Sequence, residues 1–376
     1  SIRRRDKDGK RVSEKVSYYT YGFIRSEEAK YIACVSKEEG HKGVYGEDLT
    51  KVVMADPRQV GDLKHRFKET WECNIPFTNR VLSERIAEGL EPYPNYEHRI
   101  CYLDMEWKTE SEVITVITAQ DSFGSPTETW VLHEGEKLHE GWHHFRTEKE
   151  LLESFLQYWR AKDFDVVTGW NVLYADIQTL MKRLRENGIR PNRLSPHGFV
   201  RWEFSDWDQP IAGINVIDLQ IAFCRIWQSK NGQLPNQKLD TVADEVLDDR
   251  KTELPDGHDT YYTDRKLYVE YNIQDVDLLP RLNDRVNAIE HYLAVQHIVQ
   301  CDIRATPHIT KLFTQLALND PQWSLRIPSK AQFEKVDYEG ADIQEPEAGI
   351  YEGVGILDIK AMYHSNVSKY GISWET

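Results

Sequence analysis

The chain has 376 residues, 40% hydrophobic and 29% charged, enough for two or three domains with real cores. No apolar run reaches the eighteen residues of a membrane span, and the start, SIRRRDKDGKR, has no apolar stretch behind its charges, so neither a membrane helix nor a signal peptide is predicted. The net charge of −15 argues against a generally basic nucleic-acid binder, but most of the acid excess falls after residue 100, and local basic patches still hold phosphates in acidic proteins.

The five cysteines, at 34, 73, 101, 224 and 301, are scattered and form no CxxC pair. They predict a reduced, cytoplasmic chain without disulfides or structural zinc.

In chain order, residues 1–97 read as a β-rich N-terminal domain. VSYYTYGFI and KYIACVS have the β-branched and aromatic content of strands. Pro57 opens a predicted helix with Val60, Leu63 and Phe67 on one face. The two prolines of EPYPNYEH mark a linker.

Residues 98–300 then alternate strands and helices. ICYLDMEW, VITVITAQ, TWVLHE, DVVTGWN and GINVIDL are predicted strands. TEKELLESFLQYWRA, DIQTLMKRLREN and IAFCRIWQ are predicted helices, and residues 263–298 are largely helical. A mixed sheet followed by helices predicts an α/β fold of the ribonuclease H-like kind. Residues 301–337 form a helical return segment, with Ile309, Leu312, Phe313 and Leu316 at helical spacing. Within 338–376, GVGILDI has the pattern of a buried strand.

The acidic residues of the middle region carry the chemistry. On a strand Asp104 and Glu106 point the same way and Met105 points to the other face. Two neighbouring carboxylates repel unless a cation lies between them, and Mg²⁺ or Mn²⁺ suits such oxygen ligands. Asp176 follows Thr168-Gly169-Trp170-Asn171 near a helix start. Tyr271 and Asp275, four apart, share a helix face. Each piece alone is common, as a solvated strand face, a helix cap or a surface pair. As an ordered set they supply four carboxylates and a phenol, the parts of a two-metal 3′–5′ exonuclease in which Tyr271 orients water.

These stretches resemble the family B DNA polymerases. CYLDMEW is similar to the first exonuclease motif, VVTGWNVLYADI to the second and YNIQDV to the third. DPRQVGDLKHRFKETWECNIPFTNRVL, KLDTVADEVLDDRK and the hairpin-like RDKDGKR resemble other parts of the same N-terminal region. YEGADIQEPEAGIYEGVGILDIKAMYHSN resembles the Tyr-x-Gly-Gly element and the first polymerase motif. The resemblance implies a β-rich N-terminal domain, a ribonuclease H-like exonuclease domain and, over 338–376, the incomplete start of a palm.

By the same resemblance Asp104, Glu106, Asp176 and Asp275 hold two Mg²⁺ or Mn²⁺ ions, and Asn171 contacts substrate. Asp358 would bind the nucleotide's metal and Tyr363 would exclude a ribose 2′-OH. The implied partners are DNA (primer 3′ end and template), a C-terminal polymerase fragment and a sliding clamp, in the cytoplasm of a prokaryotic or virus-infected cell.

There are departures. Ala175 and Gln178 stand where the second motif usually has Phe and Pro, and Ala361, Met362 and His364 where the polymerase motif has Ser, Leu and Pro. One palm carboxylate cannot hold two metals, so polymerisation by this chain alone is not expected. Two other readings stay open: a stand-alone 3′–5′ exonuclease, and a catalytically silent DNA-binding half of a split polymerase.

Overall fold

In the computed structural model the chain divides into two units, Ser1–Ala331 and Gln332–Thr376. The structure describes residues 2–5, 10–249, 254–320, 324–329, 345, 347–355 and 357–371.

The first unit opens with an antiparallel hairpin of β1 (Ile2–Arg5) and β2 (Arg11–Glu14). Next come β3 (Thr20–Arg25), β4 (Ser36–Gly43) and β5 (Asp48–Met54). KYIACVS, expected as a strand, is a short 3₁₀ turn and loop instead; the strand begins only at Ser36. α1 (Pro57–Arg66) starts where Asp56 and Gln59 form a reciprocal cap behind Pro57. It buries Val60 and Leu63 against Ile24, Val52 and Met54. In α2 (Phe77–Ala87) the buried Arg80 bonds Glu72 at 2.8 Å.

The second sheet carries the predicted acids. Its strands are β6 (Ile100–Trp107), β7 (Ile114–Asp121), β8 (Glu128–Leu132) and β9 (His143–Phe145), followed by α3 (Glu148–Lys162). α3 is capped reciprocally by Thr147 and Glu150. β10 (Val166–Gly169), α4 (Gln178–Glu186), β11 (Asn215–Asp218), α5 (Leu219–Asn231), α6 (Leu239–Leu247) and α7 (Thr260–Thr263) follow. The long α8 (Arg265–Val286) and α9 (Ala288–Val299) are separated by Asn287 in the left-handed region. α10 (Ile309–Asn319) and β12 (Leu325–Arg326) complete the unit.

The six strands are ordered β11-β10-β6-β7-β8-β9, and β12-β4-β5-β3 form the smaller sheet. β6 is central; it lies parallel to β10 and antiparallel to β7. Its alternation sorts the core. Cys101, Leu103 and Met105 face the cluster built on α3 and α4. Ile100 and Tyr102 face the cluster built on α5, α8 and α9. Asp104 and Glu106 continue that second face, so α8 lies over apolar residues at one end of the strand and over acids at the other.

The first hairpin is held to this sheet by Asp165, which accepts from Arg5 at 2.6 Å and Arg11 at 2.5 Å. Asp121, at the end of β7, would be pushed up by its burial, but Arg99 and neighbouring donors hold it at about 2. All five cysteines are free thiols. No helix among the described residues is long and apolar enough to cross a membrane.

α10 forms where the spacing of Ile309, Leu312, Phe313 and Leu316 predicts a helix. Leu312 packs on the cluster of Val299, Cys301 and Ala305, while Ile309, Phe313 and Leu316 face solvent.

In the second unit, α11 (Met362–Tyr370) is the one helix among the described residues. The strand expected at GVGILDI is not formed: Val354, Gly355 and Leu357 to Ile359 lie outside any strand, and Ile356 is outside the described residues. A strand needs a neighbour for its backbone groups, and no described residue supplies one. The Tyr-x-Gly-Gly-like segment at 338–341 also lies outside the described residues.

Candidate active site

β6 brings Asp104 and Glu106 to its even face, and α8 brings Asp275 over them. One ligand oxygen from each of the three carboxylates lies within 4.8 Å of the others. Glu106 and Asp275 are buried and Asp104 is half-buried. The cluster is thus shielded from water on one side, where like charges repel most strongly.

Asp176 is next to this trio rather than in it. It is fully buried, and burial drives its carboxyl well above the usual range; the Met105 backbone hydrogen bond opposes that, and the charges of Glu106 and Asp218 add to it. DIQTLMKRLREN was expected to be helical from Asp176 onward. In the structure Asp176 sits instead in a wider π-type turn, Leu173–Ile177, and the α-helix begins at Gln178. Such turns displace one residue from helical register and so re-aim a side chain.

The turn is shaped by its approach. Gly169 passes so close to β6 that a Cβ there would stand 2.3 Å from the Leu103 carbonyl oxygen. Asn171 then adopts a left-handed conformation (φ 61°) and is exposed. Tyr271 is half-buried on α8, one turn before Asp275. Asp358 and Tyr363 belong to the second unit, where both are exposed.

Three residues were missed by sequence reasoning. Tyr268, buried on α8, donates its hydroxyl to Glu106 Oε2 at 3.2 Å. Asn272, fully buried, donates Nδ2 to Asp104 Oδ2 at 2.5 Å. The signal was their spacing: 268, 272 and 275 are i, i+4 and i+7 on one helix face. Asp218 ends β11 and accepts from the backbone N–H of Asn171 (3.2 Å), Leu173 (3.1 Å) and Gln220 (3.1 Å). It therefore fixes the Asp176 turn and caps α5 at once; burial raises it to about 6 despite these donors. An Asp directly between a strand and a helix was legible as a cap.

A carboxylate trio on the central strand of a mixed sheet, crossed by a helix that adds the third acid, defines a candidate metal-dependent hydrolase site. Residues 88–242 match the family model described as DNA polymerase family B, exonuclease domain. The chain is 26% identical over 243 residues to the DNA-directed DNA polymerase of Escherichia phage RB69, covering 62% of this chain and 26% of that one. It is 26% identical over 255 residues to the DNA polymerase delta catalytic subunit of Arabidopsis thaliana, covering 62% and 23%. It is 23% identical over 356 residues to DNA polymerase 1 of Pyrococcus abyssi, covering 88% of this chain and 44% of that one. The chain thus spans less than half the length of these relatives.

The comparisons therefore support a family B polymerase relationship: residues 88–242 are similar to the exonuclease domain of that family, and up to 88% of the chain is similar to part of such polymerases. Its mixed α/β architecture, with a β-rich N-terminal part, is consistent with a ribonuclease H-like exonuclease fold.

Proposed function

We propose that this chain is the proofreading part of a family B DNA polymerase, a divalent-metal-dependent exonuclease that removes nucleotides from single-stranded or frayed DNA 3′ ends. The observation that carries this reading is the convergence of Asp275, from α8, on Asp104 and Glu106, which lie within the matched residues 88–242.

The donor set fits Mg²⁺ or Mn²⁺. All three ligands are hard carboxylate oxygens, and the buried Oδ1 of Asn272 beside them has no hydrogen-bond partner among the described residues. Asp176, on the Glu106 side, would complete the set for two ions. Bound there, the ions would supply charge stabilisation of the phosphodiester and an acidified water. The chain's own residues do the rest. α8 and β6 fix the carboxylates before substrate arrives, Tyr271 orients the attacking water, and Asn171 contacts the incoming strand at the exposed turn.

In the second unit, Asp358 and Tyr363 are read as one metal ligand and a 2′-OH discriminator of a palm completed by a separate C-terminal part. Primer–template DNA and a sliding clamp are the further partners this reading calls for.

Metal removal tests the nuclease directly. Chelation should stop digestion of a 3′-labelled single strand, and added Mg²⁺ or Mn²⁺ should restore it, with frayed ends cut faster than paired ones. Digestion that survives chelation would sink the reading. No digestion under any metal would favour the silent-scaffold alternative.

Tyr271→Phe should slow the chemical step by about ten- to a thousandfold, the value of one positioned hydrogen bond, with metal affinity unchanged. Single-turnover kinetics beside a metal titration separates the two effects, and a loss of metal binding would contradict the assigned role.

A further inference from the structure

The geometry points to Tyr268 and Asn272 as positioning residues that hold Glu106 and Asp104 in the orientation a divalent cation requires. This inference rests on the metal-dependent reading above. The two side chains stand a helical turn apart on α8 and reach the two acids of β6, Tyr268 to Glu106 Oε2 at 3.2 Å and Asn272 to Asp104 Oδ2 at 2.5 Å. Asp275 follows on the same face and supplies the third carboxylate. One helix thus both provides a ligand and orients the other two.

Both donors are almost fully buried: Tyr268 is 1% exposed and Asn272 0%. Burial leaves them no water to exchange with, so each bond is made inside the protein or lost at full cost. Glu106 is tied a second time, because Thr115 Oγ1 donates to its backbone carbonyl at 2.9 Å. A carboxylate with one lone pair engaged in this way presents the rest in a fixed direction. Partners of this kind are worth about ten- to a hundredfold in metal affinity at metal sites.

The test is a Mn²⁺ titration of the full chain followed by electron paramagnetic resonance, with single-turnover digestion of a single-stranded oligonucleotide in parallel. Tyr268→Phe keeps the ring and removes only the hydroxyl; Asn272→Leu is nearly isosteric and removes the amide. Each should weaken Mn²⁺ binding by about ten- to a hundredfold. The KM for DNA should not change, and kcat should return at saturating Mn²⁺. A merely structural role would lower the melting temperature and leave the Mn²⁺ affinity of the folded fraction intact, which would overturn the proposal. A rate loss that saturating Mn²⁺ does not restore would also overturn it. If Asn272→Leu fails to fold, Tyr268→Phe decides.

Wild-type chain that binds Mn²⁺ but digests nothing would remove the exonuclease reading and leave the positioning role to be judged by the titration. Wild-type chain that binds no Mn²⁺ would remove both.

Discussion

Digestion of single-stranded DNA is expected to fall by on the order of a thousandfold or more when Asp104 and Glu106 are both replaced by alanine, because a bound ion supplies several kcal/mol of transition-state stabilisation and these are two of its ligands. Their place on the central strand makes the loss interpretable. β6 is held on both sides, by β10 and β7, and its packed residues are Cys101, Leu103 and Met105 on the other face. The double variant should therefore fold.

In the metal-free state relief of the crowded charges beside Asp275 opposes the cost of leaving the buried Tyr268 and Asn272 donors without their acceptors, so the double variant should stay folded with a modest change in melting temperature. Wild type should gain melting temperature on adding Mg²⁺ or Mn²⁺, because a ligand that binds only the folded state stabilises it by mass action. The double variant should not. The decisive measurement is digestion of a 3′-labelled strand beside a thermal melt with and without metal. A double variant that digests at the wild-type rate would show that the chemistry lies elsewhere.

How much of this was legible in the sequence varied with the source of each element's stability. ICYLDMEW could be read because its alternation is built into the side chains: one face apolar throughout, the other turning from apolar to acidic. The cap at Thr147 could be read because it is a local hydrogen-bond exchange. β4 could not. Its residues, SKEEGHKG, are almost all exposed, and the strand exists through its ladder with β5, including an irregular register between Glu38 and His41. Propensity favoured the neighbouring KYIACVS, and tertiary pairing overrode it.

In the site, the acids were legible and their supports were not. The spacing of Tyr268 and Asn272 places them on the Asp275 face of α8, but the residues they hold lie more than 160 positions away, and spacing does not name those partners. The π-type turn at Asp176 is likewise set by Asp218 from another strand. The α10 stripe was read correctly as helical, but spacing alone does not say whether a partner covers it; Ile309, Phe313 and Leu316 are exposed.

Combining this chain with a C-terminal family B fragment that carries the remaining palm carboxylates should yield template-directed primer extension, and Asp358→Ala should abolish it. The expectation rests on the resemblance of GVGILDIKAMYHSN to the first polymerase motif and on the similarity of 88% of the chain to part of DNA polymerase 1 of Pyrococcus abyssi. Within its own unit Asp358 is exposed, and among the described residues it joins no group of metal-ligating side chains. A lone carboxylate cannot fix two ions, so this chain by itself should extend no primer.

The apolar side chains around Asp358 point the same way. Ile350, Val354, Leu357 and Ile359 are all exposed, and covering each would contribute about 1.5–3 kcal/mol. A partner that supplies neighbouring strands would bury them and let GVGILDI pair as its sequence predicts. Hydrogen exchange over residues 347–371 should then slow on adding the fragment, while exchange across β6 stays constant. Primer extension with Asp358→Ala as control is the deciding measurement. Extension by this chain alone, or extension by the pair that persists in the Asp358→Ala variant, would rule out a palm shared between two polypeptides.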